Sequence, residues 1–227
     1  MPICSNHYIL FGSGVEYPPF KQHALHAHQR CEIFCCFRGN GYYITEGSRN
    51  RLEHGKIFLM RPGELHKLDP VGEEPKEALS FHFDCSVVDS IDPERKLLAP
   101  FFDRPLGMHN TYDHSVVAST EIYTLFRKMR EFEGDNDEIC IHNTALLFPV
   151  LAELKKLFDA KAYDTSGKSS GLMHAAICYV NENLALELTP EMLCEKFHIS
   201  RAQLDRNFKN ATGSTVWVYI TTKRLLQ

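Results

Sequence analysis

The amino-acid sequence predicts a mixed α and β protein: a β-barrel, then a helical hairpin, then a small all-α domain. Residues 1–110 alternate short apolar, aromatic-rich runs with turn residues, which is typical of a barrel or sandwich. Residues 111–161 place apolar side chains three and four apart, as two helices do. After a polar stretch at 162–171, residues 172–227 form short segments with clear helix-capping residues. The 227 residues are 44% apolar, which is enough for ordinary cores.

The composition excludes several classes of protein. No apolar run approaches the roughly 20 residues that span a bilayer, and the start, MPICSNHYILFGSG, lacks a basic region followed by an apolar core. We therefore expect a cytoplasmic protein. The cysteines form no CxxC pair and lie in apolar segments, so we interpret most of them as small core residues. They are Cys4, Cys31, Cys35, Cys36, Cys85, Cys140, Cys178 and Cys194.

The strand-like runs of the first part are EIFCCFR, YYITEG, IFLMRPGEL and ALSFHFDC. Asn40-Gly41 lies between the first two, and both residues tolerate positive φ. This pair therefore predicts a hairpin that joins those two strands.

The predicted hairpin of helices is more apolar than one face against a barrel requires. Its first helix has apolar residues from Ala118 to Phe132, and its second from Leu146 to Phe158, separated by Gly134-Asp135-Asn136-Asp137. We infer a surface for a second copy of the chain, although both helices could simply cover the barrel. Pro149 should kink the second helix or end its straight part, because proline has no amide hydrogen to donate.

The segment from Ala162 to Gly171, AYDTSGKSSG, has the composition of a flexible linker and marks a domain boundary. Beyond it, Thr189-Pro190-Glu191 supplies an N-cap, a first-position proline and an acid. Ser200 and Gln203 form a capping box for the next helix, and Gly213 can cap its end. Two short helices joined by a tight turn, the second basic, predict a helix-turn-helix unit, with an ordinary three-helix bundle as the alternative.

The charge is unevenly distributed. The whole chain has a net charge of −4, yet the 32 residues from Lys196 onward have six basic residues and one acid, Asp205. A local excess of +5 suits a surface that faces phosphates, whereas a solvated helical face would also carry such charges.

The stretch from Leu188 to Leu225, LTPEMLCEKFHISRAQLDRNFKNATGSTVWVYITTKRL, resembles the signature of the AraC family of bacterial transcription regulators. The resemblance implies DNA binding, a small-molecule effector and a homodimer, with no enzymatic activity. It also implies two helix-turn-helix units joined by a long helix, and the chain ends at Gln227 where that helix would continue. The residues that match the signature are Phe208, Lys209, Gly213, Tyr219 and Arg224.

The resemblance implies that the helix after Ser200 is the recognition helix that contacts DNA. Asp205 can accept a hydrogen bond from a cytosine amino group, but its charge repels phosphates. Lys209 and Lys223 are expected mainly to neutralise phosphates. The implied DNA-binding residues are Ser200, Arg201, Ala202, Gln203, Asp205, Arg206, Lys209 and Lys223.

The stretch HAHQRCEIFCCFRG, together with PGELH, resembles the cupin barrel that serves this family as its effector module. Residues two apart on a strand point to the same face, so His26, His28 and Glu32 would project together into the barrel. With His66 they form a possible site for iron, manganese, nickel or zinc. Arg38, Arg61 and His82 are further candidates for contact with a ligand.

The function of these polar residues stays open at the level of the sequence. They could bind a sugar or a small acid directly, hold a divalent metal, or be structural. The alternative function is a metal-dependent cupin enzyme, an isomerase or a dioxygenase, for which a basic recognition helix has no use. A third possibility is a protein that acts only by pairing with longer relatives.

Overall fold

The computed structural model describes residues 4–10, 25–71, 77–167 and 169–226, with only the strand path given for residues 4–10. Two antiparallel sheets, together called the β unit, occupy the first half. The larger sheet has the order β1-β7-β2-β5-β8, and the smaller has the order β4-β3-β6. The strands are β1 (Cys4–Leu10), β2 (Cys31–Arg38), β3 (Gly41–Thr45), β4 (Ser48–Arg51), β5 (Lys56–Met60), β6 (His66–Pro70), β7 (Glu77–Phe83) and β8 (Thr111–Tyr112).

The helices follow the sheets in the chain. Four are short or belong to the connection between the sheets and the long helices: α1 (Ser86–Asp89), a 3-10 turn (Lys96–Leu98), α2 (Ala99–Phe102) and α3 (His114–Val117). The longer ones are α4 (Ile122–Glu131), α5 (Asn136–Asp159), α6 (Gly171–Glu182), α7 (Pro190–Phe197), α8 (Arg201–Thr212) and α9 (Val216–Leu225). The mixed α and β class predicted from the sequence is confirmed. No helix in the described ranges is long and apolar enough to cross a membrane.

The predicted hairpin at Asn40-Gly41 is wrong. β2 pairs with β5 and β7, whereas β3 pairs with β4 and β6 in the other sheet. Gly41 adopts positive φ, at 140°, whereas Asn40 is not among the described residues with positive φ. A turn residue reverses the chain but does not decide which strands pair, because pairing depends on burial that distant strands provide.

β2 is buried on both faces, and its alternating side chains serve two different cores. Ile33 and Cys35 pack with the helices in one apolar cluster, and Phe34 and Cys36 pack toward the smaller sheet in another. Side chains alternate between the faces of a strand, so Glu32 lies on the side of Phe34. This alternation places a carboxylate between the two sheets.

α4 and α5 cover the outer face of the larger sheet. Ile122 and Phe126 of α4 and Leu147 and Leu151 of α5 are buried in the same cluster as the strand residues. Much of the apolar surface of this pair is therefore used within one chain. Pro149 lies inside α5, which continues to Asp159.

The segment predicted as a linker lies along the β unit. Asp164 forms an ion pair with Lys56 at 2.8 Å, and the Gly167 carbonyl accepts a hydrogen bond from the Arg49 amide at 2.9 Å. The Ser169 amide donates to the Gly47 carbonyl at 2.9 Å. These contacts hold the segment between α5 and α6 against the β unit.

α6 to α9, called the helical unit, share a core that includes Leu204 and Phe208 and also Leu65 of the β unit. The predicted caps are present: the Thr189 side chain accepts from the Met192 amide, and Gly213 ends α8 with φ at 73°. The helical unit is docked on the β unit, since the Gly47 amide donates to the Ala211 carbonyl at 3.2 Å.

Candidate functional site

A buried carboxylate lies at the centre of the polar residues between the two sheets. Glu32 is 5% exposed, and three histidines from three different segments approach it. We call Glu32, His28, His66, Ser80 and His82 the Glu32 cluster. β2 and β7 place Glu32 opposite His82 in register, while β6 begins at His66.

Two of the rings direct a nitrogen at the same oxygen of Glu32. His28 Nε2 lies 3.0 Å from Oε2, and His66 Nε2 lies 3.1 Å from it. The Nδ1 atoms of both rings face backbone carbonyls, of Arg30 at 2.9 Å and of Glu64 at 2.8 Å. A carbonyl only accepts, so each Nδ1 carries the hydrogen, and a neutral ring then leaves Nε2 without one. Nε2 of both rings is therefore ready either for a second proton or for a cation.

The third histidine contacts the carboxylate through a serine. Ser80 Oγ donates to Glu32 Oε1 at 2.7 Å and lies 2.8 Å from His82 Nε2. A hydroxyl has one hydrogen, so once it is given to Glu32 the serine can only accept from His82. This hydrogen bond therefore has His82 Nε2 as its donor and Ser80 Oγ as its acceptor.

The Glu32 carboxylate and the His66 ring favour each other's charged form. Burial acts to raise the pKa of Glu32, but the rings of His28 and His66 hold it well below its usual value. Burial favours the neutral ring of His66, yet the Glu32 carboxylate beside it raises the pKa of that ring. Glu32 is accordingly a buried anion that is stabilised by the neighbouring rings and by the hydrogen bond from Ser80.

The donor set fits a divalent cation. His28, Glu32 and His82 each offer a ligand atom, and these atoms lie within 4.8 Å of one another. His66 Nε2 is buried and makes no hydrogen bond of good geometry within the described residues. Imidazole nitrogens and a carboxylate are ligands that suit zinc, iron, manganese or nickel. The same groups can equally bind the hydroxyls or the carboxylate of a small organic molecule.

Two of the predicted ligand-binding residues lie apart from this centre, and a third, His26, lies at its edge. His26 is exposed and is joined to His66 by a backbone bridge, with the ring centroids 4.4 Å apart. Arg38 is exposed at the far end of β2 from Glu32. Arg61 donates to the Phe102 carbonyl at 3.3 Å on the β5 to β6 turn. The group whose possible ligand atoms lie within 4.8 Å of one another thus contains His82, and it includes neither His26 nor His66 of the predicted metal set.

A buried ion pair that was not predicted from the sequence lies next to the cluster. Arg104 and Glu64 have fully buried side chains, and Arg104 makes two hydrogen bonds to Glu64, at 2.6 and 2.9 Å. Glu64 also accepts from the amides of Arg61 and Gly107. This pair fixes the turn that leads to His66, whose Nδ1 atom is bound by the Glu64 carbonyl. The segment around Arg104 contains no motif from which the contact could be predicted.

α7 and α8 bring most of the predicted DNA-binding residues to one exposed surface. Two of the predicted basic residues, however, are paired with carboxylates of the same chain. Arg201 pairs with Asp205 at 2.9 Å and also with Glu191, so two carboxylates compete for its charge. Ser200 and Gln203 form the capping box, and Ala202 is exposed beside them. Arg206 and Lys209 are exposed and have no ion pair among the described residues.

Lys223 is the second of these paired residues. Its Nζ lies 2.5 Å from Glu46 Oε1 and donates to the Gly63 carbonyl at 3.1 Å, with 12% of the side chain exposed. The expected contact of Lys223 with phosphate stays a prediction, and in the structure this lysine contacts the β unit. The spacing of basic residues could not show this, because the partner lies far away in the sequence.

Comparison with known proteins identifies the family. The model of the AraC-like ligand binding domain matches residues 16–132, which is more than half of the chain. The chain is 22% identical over 213 residues to the HTH-type transcriptional activator RhaS of Escherichia coli O139:H28 (strain E24377A / ETEC), covering 89% of this chain and 71% of that protein. It is 21% identical over 208 residues to RhaR, an activator of the same type from Enterobacter sp. (strain 638), covering 91% and 72%. The crystal structure of the AraC-like transcriptional activator CuxR matches 88% of this chain and 67% of its own, with 19% identity and a TM-score of 0.41. The chain belongs to the AraC family of bacterial transcription regulators.

Proposed function

We propose that the protein is a DNA-binding transcription regulator whose β unit binds a small effector and whose α7–α8 pair is a helix-turn-helix. The observation that carries the proposal is the docking of a basic two-helix surface on the same β unit that holds the Glu32 cluster. A ligand at the cluster can then act on the DNA-binding surface through direct contacts. The proposed target is DNA, so the proposed location is the cytoplasm, and no enzymatic activity is part of the proposal.

α8 is the proposed reader because its buried and exposed sides are well separated. Leu204 and Phe208 are fully buried, whereas Ala202, Arg206 and Lys209 are exposed. A recognition helix enters the major groove with such an exposed side while the preceding helix supports it. Asp205 and Glu191 lower the positive charge at the beginning of α8 by pairing with Arg201.

The replacement Lys209→Ala tests this surface. We expect weaker binding to all DNA sequences and a salt dependence flatter by about one unit, because one phosphate contact releases about one counterion. Fluorescence anisotropy with a duplex library at several salt concentrations measures both. The control is Lys128→Ala, an exposed lysine on α4, which should change neither quantity. Unchanged affinity and an unchanged salt slope for Lys209→Ala would remove the assignment of Lys209 to a phosphate contact.

The Glu32 cluster is the proposed effector site. Its members come from β2, β6, β7 and the segment before β2, so a ligand there contacts both sheets. The effector is a small polar molecule such as a sugar or a small acid, bound by the side chains themselves or through a divalent cation held by His28, Glu32 and His82. Such a cation would supply a positive charge for the oxygen atoms of the effector.

Titration with Zn²⁺ distinguishes binding of the effector through a divalent cation from binding by the side chains themselves. We expect one ion per chain in protein purified without chelator or nickel resin, since the possible ligand atoms of His28, Glu32 and His82 lie within 4.8 Å of one another. His28→Ala should lose that binding, measured by isothermal titration calorimetry. His54→Ala, on an exposed histidine bound to the Phe37 carbonyl, is the control. Failure of the unchanged protein to take up added metal would leave direct contact with an organic effector as the role of the cluster.

We also propose a homodimer through the outer side of α5. Ile141 is 71% exposed, and Ala145 and Pro149 follow it at four-residue intervals, both exposed. Residues at this spacing lie on one face of a helix. The inner side of α5 is already covered by the sheet, so this exposed apolar stripe is the part of the hairpin that a second chain can use.

A further inference from the structure

We propose that Cys31 and Cys85 form a reversible disulfide bond when the protein is exposed to a peroxide, and that this bond modifies the Glu32 cluster. The site lies where the first residue of β2 meets the residue two positions after the end of β7. It is distinct from the proposed effector and DNA sites, and its test does not require either of them to be correct.

The two sulfur atoms are already in contact. Cys31 Sγ and Cys85 Sγ lie 3.3 Å apart, and β2 and β7 are hydrogen-bonded neighbours with Cys31 opposite Phe83. A disulfide has a sulfur–sulfur distance of about 2.05 Å, so the atoms must approach by about 1.3 Å. Small side-chain movements supply such a shift. The pairing of β2 with β7, which ends two residues before Cys85, also keeps the two segments together while the bond forms.

The two thiols differ in access and in reactivity. Cys31 is fully buried, whereas Cys85 is half-buried. The hydrogen bond between the two groups lowers the pKa of Cys85, and the nearby Arg95 acts in the same direction. The thiolate is the reactive form of cysteine, so Cys85 is the group that meets the oxidant and Cys31 is the group that resolves the product.

The chemistry balances with hydrogen peroxide as the oxidant. The Cys85 thiolate attacks the O–O bond, which breaks to give a Cys85 sulfenic acid and hydroxide, and the hydroxide takes up a proton to become water. The Cys31 sulfur then attacks the Cys85 sulfur, the S–O bond breaks, and the second oxygen, which already carries one hydrogen, takes up the Cys31 proton and leaves as water. Two thiols and one peroxide thus give one disulfide and two waters. A small thiol reverses the reaction by exchange.

The position of the bond links it to the proposed effector site. Cys31 is the residue before Glu32, and Cys85 lies three residues after His82. A cross-link there ties the β2 end that carries Glu32 to the turn that leads from β7 into α1. Oxidation is therefore expected to alter how the Glu32 cluster holds its ligand.

The test uses the whole 227-residue chain treated with equimolar hydrogen peroxide, followed by alkylation of free thiols, trypsin and mass spectrometry. Cleavage after Arg30, Arg38, Lys76 and Arg95 gives fragments 31–38 and 77–95, and Cys85 is the single cysteine of the second. We expect the two fragments to be joined with the loss of two hydrogen atoms, and to separate again after reduction. Cys31→Ala and Cys85→Ala should abolish the joined species.

Cys35→Ala is the matched control, because Cys35 is also buried on the same face of β2 and lies in the same fragment. It should leave the joined species unchanged. A joined species that persists in Cys31→Ala would overturn the proposal, as would separate fragments with Cys85 alkylated or oxidised to the sulfinic acid. If Cys31→Ala does not fold, fragmentation of the joined species from the unchanged protein locates the bond directly, and a bond at Cys35 or Cys36 would overturn the proposal.

Discussion

Replacement of Arg104 by methionine is expected to lower the free energy of unfolding by about 3–5 kcal/mol, because the change leaves a buried carboxylate without its cation. The side chains of Arg104 and Glu64 are both fully buried. Arg104 also donates to the carbonyls of Leu59 and Pro100, so methionine leaves those acceptors with one donor fewer. Urea denaturation followed by circular dichroism measures the difference.

The pH dependence of stability provides a second test of the Arg104–Glu64 pair, through the protonation of Glu64. Burial acts to raise the pKa of Glu64, but Arg104 and two backbone amides hold it at about 2, below the usual 4.5. A lowered folded-state pKa gives stability that is present above about pH 4.5 and is lost as the pH falls toward 2. Without Arg104 the burial remains and the pKa of Glu64 should rise. The Arg104→Met protein should therefore lose less stability than the unchanged protein over this acidic range.

The control for Arg104 is Arg130→Met. Arg130 pairs with Glu77 at 2.6 Å, but both side chains are partly exposed, and pairs of this kind contribute about 0–1 kcal/mol. The double replacement Arg104→Met with Glu64→Gln should recover part of the loss, since no buried charge is then left alone. An Arg104→Met protein as stable as the Arg130→Met protein would contradict the assignment.

Replacement of Lys223 by methionine is expected to release the helical unit from the β unit. Glu46 is fully buried and accepts from the Leu65 amide, Asn181 and Lys223, so it holds three segments together. Burial raises the pKa of Glu46 even with Lys223 present. Removal of the cation leaves this carboxylate buried with only the Leu65 amide and Asn181 as donors, at a cost at the lower end of roughly 3–5 kcal/mol, and separation of the units returns it to water.

Hydrogen exchange distinguishes release of the unit from its unfolding. The Gly47 amide donates to the Ala211 carbonyl across the contact and should exchange roughly 100-fold faster in the Lys223→Met protein, since each 1.4 kcal/mol corresponds to a factor of ten. The Phe208 amide, within α8, should keep its protection. Lys196→Met, on a lysine that lies over the Tyr179 ring inside the helical unit, is the control. Unchanged exchange at Gly47 would show that Lys223 does not hold the units together.

The features that the sequence alone determined are those with local causes. The N-caps of α7 and α8 and the glycine after α8 depend on residues within one turn of each other, and they occur where the sequence predicts them. Period-two alternation likewise put Glu32 between the sheets. The family could be recognised because its signature is a set of such local features along one continuous stretch.

The tertiary structure decided the features in which the partners are distant in the chain. It placed β2 between β5 and β7 and not beside β3, brought His82 to Glu32 in place of His26, and turned Lys223 toward Glu46. It also paired Arg104 with Glu64, and Cys31 with Cys85. The free energy of each contact depends on burial and charge that only the folded chain provides, so no spacing along the sequence could reveal it.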